Sequence, residues 1–95
     1  MSVKITKHAR KRLKERSGLN KKSIQRIADR AFEEGLTHKQ TKDDLHRWIS
    51  LCYLIERQAN NIRIYGDKAF LFKGDVLITV LQIPNKIKSR INHTK

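Results

Sequence analysis

A histidine and two arginines near the start of the chain have types and a spacing that could support chemistry on a phosphate ester. His8, Arg12 and Arg16 follow one another at intervals of four residues, which in an α-helix places all three on one face. Histidine can donate or accept a proton near neutral pH, and the planar guanidinium of arginine suits phosphate oxygens. The sequence therefore predicts a candidate site on the first helix.

The same helix face carries the apolar residues that should contact the rest of the protein. Ala9 and Leu13 lie next to the three polar residues on this face. Burying an unpaired charge is costly, so the histidine and the arginines need partners. Two alternatives are open: the arginines reach carboxylates of the chain itself across a helix–sheet contact, or they line a half-open cleft that receives a phosphate.

The chemistry that such a cleft could perform is metal-free RNA cleavage by attack of the 2′-hydroxyl on the adjacent phosphate. It needs an acid, a base and cations for the developing negative charge. His8 would be the acid or the base, and Arg12 and Arg16 would bind the phosphate. Thr79 and Tyr65, on neighbouring predicted strands, could orient it, although both are also ordinary strand residues. We expect no metal and no cofactor, because the chain lacks the spacing of a ligand set.

The remaining histidines, the tryptophan and the cysteine are weaker candidates for a functional role. We expect His38, His46 and His93 to be solvated. Trp48 should belong to the core rather than to a platform for stacked bases. Cys52 lies in an apolar run and should be a small buried residue.

Positive charge is concentrated at the two ends of the chain. The net charge is +13. Residues 1–30 hold 11 lysines and arginines and 2 acidic residues, and residues 31–85 hold 7 of each kind. Residues 86–95 hold 4 lysines and arginines and no acidic residue. This asymmetry predicts a polyanionic partner, a nucleic acid and in the first place RNA. The residues expected to bind it point away from the apolar face of the first helix or begin the second: Lys7, Arg10, Lys11, Lys14, Lys21 and Lys22.

A membrane is a rival polyanion that the sequence does not favour. The basic stretch lacks the bulky apolar face of an interfacial helix, and no apolar run approaches the ~20 residues of a membrane span. The N-terminus has no apolar core of a signal peptide. We therefore expect a cytoplasmic protein without a membrane partner.

Capping residues predict where the helices begin and end. Thr6 can cap a first helix that runs to about Ser17 and is followed by Gly18. Asn20 can cap a second helix, and Gly35 can end it. These assignments place the candidate histidine and arginines on the first helix.

The second half of the chain changes from a helical to an alternating pattern. Thr41 with Asp44 resembles the capping box of a short third helix. Strands are then predicted at 51–57, 62–65, 69–72 and 76–83, joined by short turns that require antiparallel pairing. The predicted class is α+β, with two to three N-terminal helices on a three- to four-stranded antiparallel meander. We expect one domain over 1–87 and a basic, flexible tail over 88–95.

Three segments resemble a known group of proteins. Residues 7–16, KHARKRLKER, resemble the K-H-A-x-x-R-x-x-x-R opening of small bacterial and phage proteins grouped with the BECR fold, which includes barnase, EndoU, colicin and RelE-like ribonucleases. Residues 62–66, IRIYG, and residues 77–84, LITVLQIP, resemble the sheet of that group and its closing strand. The resemblance spans about residues 4–87.

The resemblance implies a metal-independent endoribonuclease, of the toxin, phage or antiphage effector type. It implies helices packed on an antiparallel sheet, with His8, Arg12, Arg16 and Thr79 as site residues. The alternative is a non-catalytic RNA- or DNA-binding module, such as a phage-encoded regulator or an inhibitor of a host ribonucleoprotein. An acidic antitoxin is a further partner that a basic chain could bind.

Overall fold

Helices precede most of the sheet along the chain. The computed structural model describes residues 3–87, without the side chains of Arg16 and Ser17. The predicted α+β class is confirmed. No helix of the described residues is long and apolar enough to cross a membrane. The elements are β1 (Lys4–Ile5), α1 (Lys7–Ser17), α2 (Lys21–Glu34), a 3-10 segment (His38–Gln40), α3 (Asp43–Ile55), β2 (Asn61–Tyr65), β3 (Lys68–Lys73) and β4 (Val76–Gln82).

The four strands form one mixed sheet in the order β1-β4-β3-β2. β2 pairs with β3 and β3 with β4 in antiparallel fashion, so the predicted meander is confirmed for these three strands. The sheet is not purely antiparallel, because β1 pairs with β4 in parallel. A strand of two residues is too short to show an alternating pattern, and the sequence therefore did not predict it.

Both faces of the sheet are covered by helices. Ala9 and Leu13 of α1 are fully buried in a cluster with residues of α2 and with Phe70, Phe72 and Val80 of the sheet. A second cluster, on the other face, joins α3 to the alternate residues of the same strands. The sheet consequently lies between α1 and α2 on one side and α3 on the other.

The predicted strand over 51–57 is wrong, because α3 continues to Ile55. Leu45, Ile49 and Cys52 are buried at helical spacing, and this periodicity extends into the segment read as a strand. A short apolar run fits a strand and a buried helix equally well by periodicity. The burial of one stripe of α3 against the sheet decides between them.

The predicted capping box of α3 does not form. The N-cap residue is Lys42, which makes no side-chain capping bond. The hydroxyl of Thr41 instead donates to the carbonyl oxygen of His38 at 2.7 Å. Thr41 therefore closes the 3-10 segment rather than opening α3.

The predicted ends of α1 and α2 are confirmed. Asn20 accepts a hydrogen bond from the amide of Ser23 at 2.9 Å, and Gly18 ends α1 with a left-handed φ of 61°. Gly35 ends α2 for a different reason, since its φ of −62° is ordinary. A Cβ at this position would lie 2.5 Å from the carbonyl oxygen of Ala31 and 2.8 Å from Cβ of Arg63. Glycine is thus needed for the close approach of α2 to β2.

One side chain joins the start of α1 to the middle of β4. The Thr6 hydroxyl accepts from the amide of Ala9 at 3.1 Å and donates to the carbonyl oxygen of Ile78 at 3.1 Å. Ile78 lies where the pairing of β3 with β4 shifts register, since Leu71 pairs with Thr79 and Phe72 with Leu77. The hydroxyl therefore caps the helix and binds the irregular point of the strand.

Replacing Thr6 tests this connection. We expect Thr6→Val to lower the free energy of unfolding by about 1–2 kcal/mol, because both hydroxyl bonds are lost at constant side-chain shape. Thr6→Ser keeps the hydroxyl and should stay within about 0.5 kcal/mol of the wild type. Urea unfolding followed by circular dichroism measures both, and equal stability of the two variants would contradict the role of the hydroxyl.

Candidate nucleic-acid interface

The packing of α1 determines where its charged side chains point. Ala9 and Leu13 are 0% and 1% exposed against the sheet, so the residues on the other sides of the helix face outward. The solvent-facing positions predicted for α1 are confirmed. Among the side chains of α1 that the structure describes, the exposed cations are Lys7, Arg10, Lys11 and Lys14.

The first turn of α2 continues this concentration of charge. Lys21 and Lys22 are exposed, and neither α1 nor α2 has an acidic residue in its first turn. α1 and α2 cover the same face of the sheet. We call the six exposed cations the basic surface: Lys7, Arg10, Lys11, Lys14, Lys21 and Lys22.

Two of the predicted site residues lie together beside this surface. His8 and Arg12 line an open cavity of about 250 Å³, together with Lys11 and Glu15. His8 is exposed, so the prediction that it needs a buried partner on the apolar face is wrong, and Arg12 is half-buried. Arg16, the third member of the predicted set, has its side chain outside the part of the chain that the structure describes.

The carboxylates of the chain that the sequence analysis considered as partners of Arg12 form no salt bridge with it in the described residues. Within the described side chains, the salt bridges are formed by Lys11, Arg30 and Lys68, and none by Arg12. The guanidinium therefore remains available to an anion that enters the cavity.

Glu15 is the residue of this cavity that the sequence analysis missed. It follows Arg12 by three residues and His8 by seven, which is the spacing of one helix face, so the signal was present. Its carboxylate lies 4.0 Å from the ammonium of Lys11. An exposed pair of this kind contributes little to stability. Carboxylates can act as general bases, so Glu15 gives the cavity a second proton-transfer group beside His8.

Thr79 does not join His8 and Arg12. It pairs with Leu71 across β3 and β4, and Leu71 belongs to the cluster on the α3 side. Paired residues point to the same face of a sheet, so Thr79, 7% exposed, faces away from α1. The sheet itself separates this hydroxyl from the cavity.

Tyr65 also lies apart from the cavity. It is the last residue of β2, and β3 lies between β2 and the strand on which α1 packs. Its ring contacts Phe70 edge to face, with the centroids 6.4 Å apart, and it packs against the core on the α1 side. This placement is that of a residue at the edge of the core.

The sequence predicted that His38 and His46 are solvated, but in the structure both side chains have partners within the protein. Their rings are stacked, with centroids 4.0 Å apart and planes 10° from parallel. His46 Nδ1 lies 3.0 Å from the carbonyl oxygen of His38, and His38 Nε2 lies 3.0 Å from Oγ of Ser50. The pair therefore fastens the 3-10 segment to α3. His93 lies outside the described residues.

Trp48 and Cys52 have the structural positions that the sequence predicted. Trp48 is half-buried against the core on the α3 side. Cys52 is a buried free thiol, and burial raises the pKa of that thiol. A raised pKa reduces the thiolate fraction at neutral pH, so the residue is a poor nucleophile. In the described part of the chain, no three potential metal ligands cluster together.

Comparisons with known proteins do not identify a family. The chain matches no protein-family model, no curated protein and no solved structure. The likeness to BECR-fold ribonucleases therefore stays a prediction.

Proposed function

We propose that this chain binds nucleic acid, with RNA as the first candidate, through the basic surface of α1 and α2. The observation that carries the proposal is the arrangement of α1. The apolar stripe of α1 is buried in the core. The helix exposes four cations, Lys7, Arg10, Lys11 and Lys14. Glu15 is the one acidic residue in the helix. The resemblance of residues 7–16 to small proteins grouped with the BECR-fold ribonucleases favours RNA over DNA.

The affinity of such a surface comes from phosphate contacts. Each phosphate that a lysine or arginine neutralises releases a condensed counterion, so the logarithm of the affinity falls by about 0.7 per contact and per tenfold increase in salt for a single strand. A surface of six cations predicts a steep dependence on salt. It predicts little sequence specificity, because phosphate contacts carry no sequence information.

RNA cleavage at the cavity beside the basic surface is the second candidate function. The observation that favours it is that His8, Arg12 and Glu15 line one cavity. In this proposal the Glu15 carboxylate takes the proton of a ribose 2′-hydroxyl, and the 2′-oxygen attacks the adjacent phosphorus. His8, in its protonated form, donates a proton to the leaving 5′-oxygen. The products are a 2′,3′-cyclic phosphate and a 5′-hydroxyl.

The cations of the cavity would stabilise the transition state of this reaction. The guanidinium of Arg12 can donate two parallel hydrogen bonds to phosphate oxygens, and Lys11 adds a second positive charge. Cleavage ranks below binding because Thr79 faces away from the cavity and both His8 and Glu15 are exposed. Exposure weakens electrostatic stabilisation relative to a site that excludes water.

Charge reversal on α1 tests the binding proposal. Arg10→Glu combined with Lys14→Glu should weaken the binding of a single-stranded RNA oligonucleotide roughly 10- to 100-fold at low salt, because two phosphate contacts become repulsive. Fluorescence anisotropy at several salt concentrations measures the affinity and its salt slope.

The matched control makes the same charge change elsewhere. Lys39 and Lys42 are exposed and lie in and just after the 3-10 segment, so Lys39→Glu with Lys42→Glu should leave the affinity nearly unchanged. An equal loss in both double variants would show that only the total charge matters. No loss in the α1 variant would refute the basic surface.

Incubation of RNA with the protein in EDTA tests the cleavage proposal. The wild type should produce fragments that end in a cyclic phosphate, and His8→Ala should slow cleavage by about 100-fold or more while still binding RNA. Glu15→Gln should slow it comparably, because it removes the carboxylate at nearly constant side-chain shape. Intact RNA after incubation with the wild type, or equal cleavage by His8→Ala, would overturn the assignment without affecting the binding proposal.

A further inference from the structure

The side of α3 that faces away from the sheet is apolar at its C-terminal half. Leu51, Leu54 and Ile55 are 55%, 68% and 84% exposed. They are spaced at i, i+3 and i+4 and therefore lie next to one another on the helix surface. Contiguous exposed apolar side chains of this size mark a surface that contacts another molecule.

The outer side of α3 continues toward the start of the helix with a charged and an aromatic residue. Arg47 is exposed four residues before Leu51, and Trp48 is half-buried beside it. Positions 47, 51 and 54 follow the alternating four- and three-residue steps that occur where two helices pack along their length. We call Arg47, Leu51, Leu54 and Ile55 the outer face of α3.

We propose that the outer face of α3 binds the same face of a second copy of this chain, so that two α3 helices pack antiparallel in a homodimer. Charge is the first argument for this occupant. The whole chain carries +13, so two copies repel one another wherever their cations face. The exposed charged residues from Asp43 to Arg57 are Asp43, Arg47 and Arg57, a net charge of only +1, because Asp44 and Glu56 are half-buried. Two copies can therefore meet here with little of that repulsion.

The order of charges along α3 is the argument for the antiparallel direction. The helix begins with exposed Asp43, and exposed Arg57 follows its last turn. An antiparallel pair places each Arg57 beside the acidic start of the partner helix, and it also opposes the two helix dipoles. A twofold axis near Leu51 makes both halves of the contact identical, as in isologous dimers.

The dimer would leave the basic surface free. α3 covers one face of the sheet, and α1 with α2 covers the other. Two copies joined through α3 consequently present two basic surfaces on opposite sides of the assembly. Two linked surfaces can hold one long polyanion more tightly than either alone. The dimer contact itself does not depend on nucleic-acid binding.

Sedimentation velocity tests the dimer. The 11.2 kDa chain should sediment with twice this mass as its concentration rises into the micromolar range. Leu54→Glu should raise the dimer dissociation constant at least about tenfold, because it places a carboxylate in an apolar contact, where loss of its hydration is costly. Since Leu54 is exposed in the monomer, the circular dichroism spectrum should stay unchanged.

A control variant and a cross-link make the test specific. Leu36→Glu changes another exposed leucine, 40% exposed, that lies beside β2, and it should dimerise like the wild type.

In a Cys52→Ser background, Leu51→Cys should form an intermolecular disulfide on oxidation. Ile55→Cys should not, because antiparallel helices centred on Leu51 separate the two Ile55 positions by about 12 Å along the axis.

Each of three results would overturn the proposal. The first is a chain that stays monomeric at every concentration, and the second is a dimer that Leu54→Glu does not weaken. The third is efficient cross-linking through Ile55→Cys, which the antiparallel arrangement centred on Leu51 excludes. Retention on anionic vesicles by a monomeric protein, lost in Leu54→Glu, would assign the outer face to a lipid surface instead.

Discussion

Burial of both faces of a small sheet is the constraint on which the rest of this structure depends. Phe70 and Phe72 point to one side of β3, and Leu71 points to the other. Neither set can be left in water, since burial of apolar surface is the main favourable contribution to folding. Helices must therefore cover both sides. Because Ala9 and Leu13 of α1 are needed in this packing, Lys7, Arg10, Lys11 and Lys14 point outward.

The two sides of the sheet consequently have different surfaces. On one side, α1 and the start of α2 present six exposed cations and the cavity of His8 and Arg12. On the other, α3 buries one apolar stripe and leaves Leu51, Leu54 and Ile55 exposed. A polyanion suits the first surface and a helix of a second copy suits the other. The Thr6 hydroxyl holds the first arrangement in place by joining α1 to the sheet.

Features that depend on neighbouring residues could be predicted from the sequence. The caps at Thr6 and Asn20 and the turns of the meander follow from local backbone preferences. Features set by long-range packing could not: the helical state of 51–55 is decided by burial against the sheet. The side to which Thr79 points depends on the register shift opposite Leu71, which no local pattern specifies. Glu15 was missed for neither reason, because its helical spacing to His8 can be read from the sequence.

The central claim is that nucleic acid binds the side of the sheet covered by α1 and α2. A titration of the isotopically labelled protein with a short single-stranded RNA, followed by amide chemical shifts, tests it directly. The account predicts shifts that grow with RNA concentration in α1 and in the first turn of α2, and that shrink as salt is added. Shifts confined to α3, or no shifts at low salt, would contradict it.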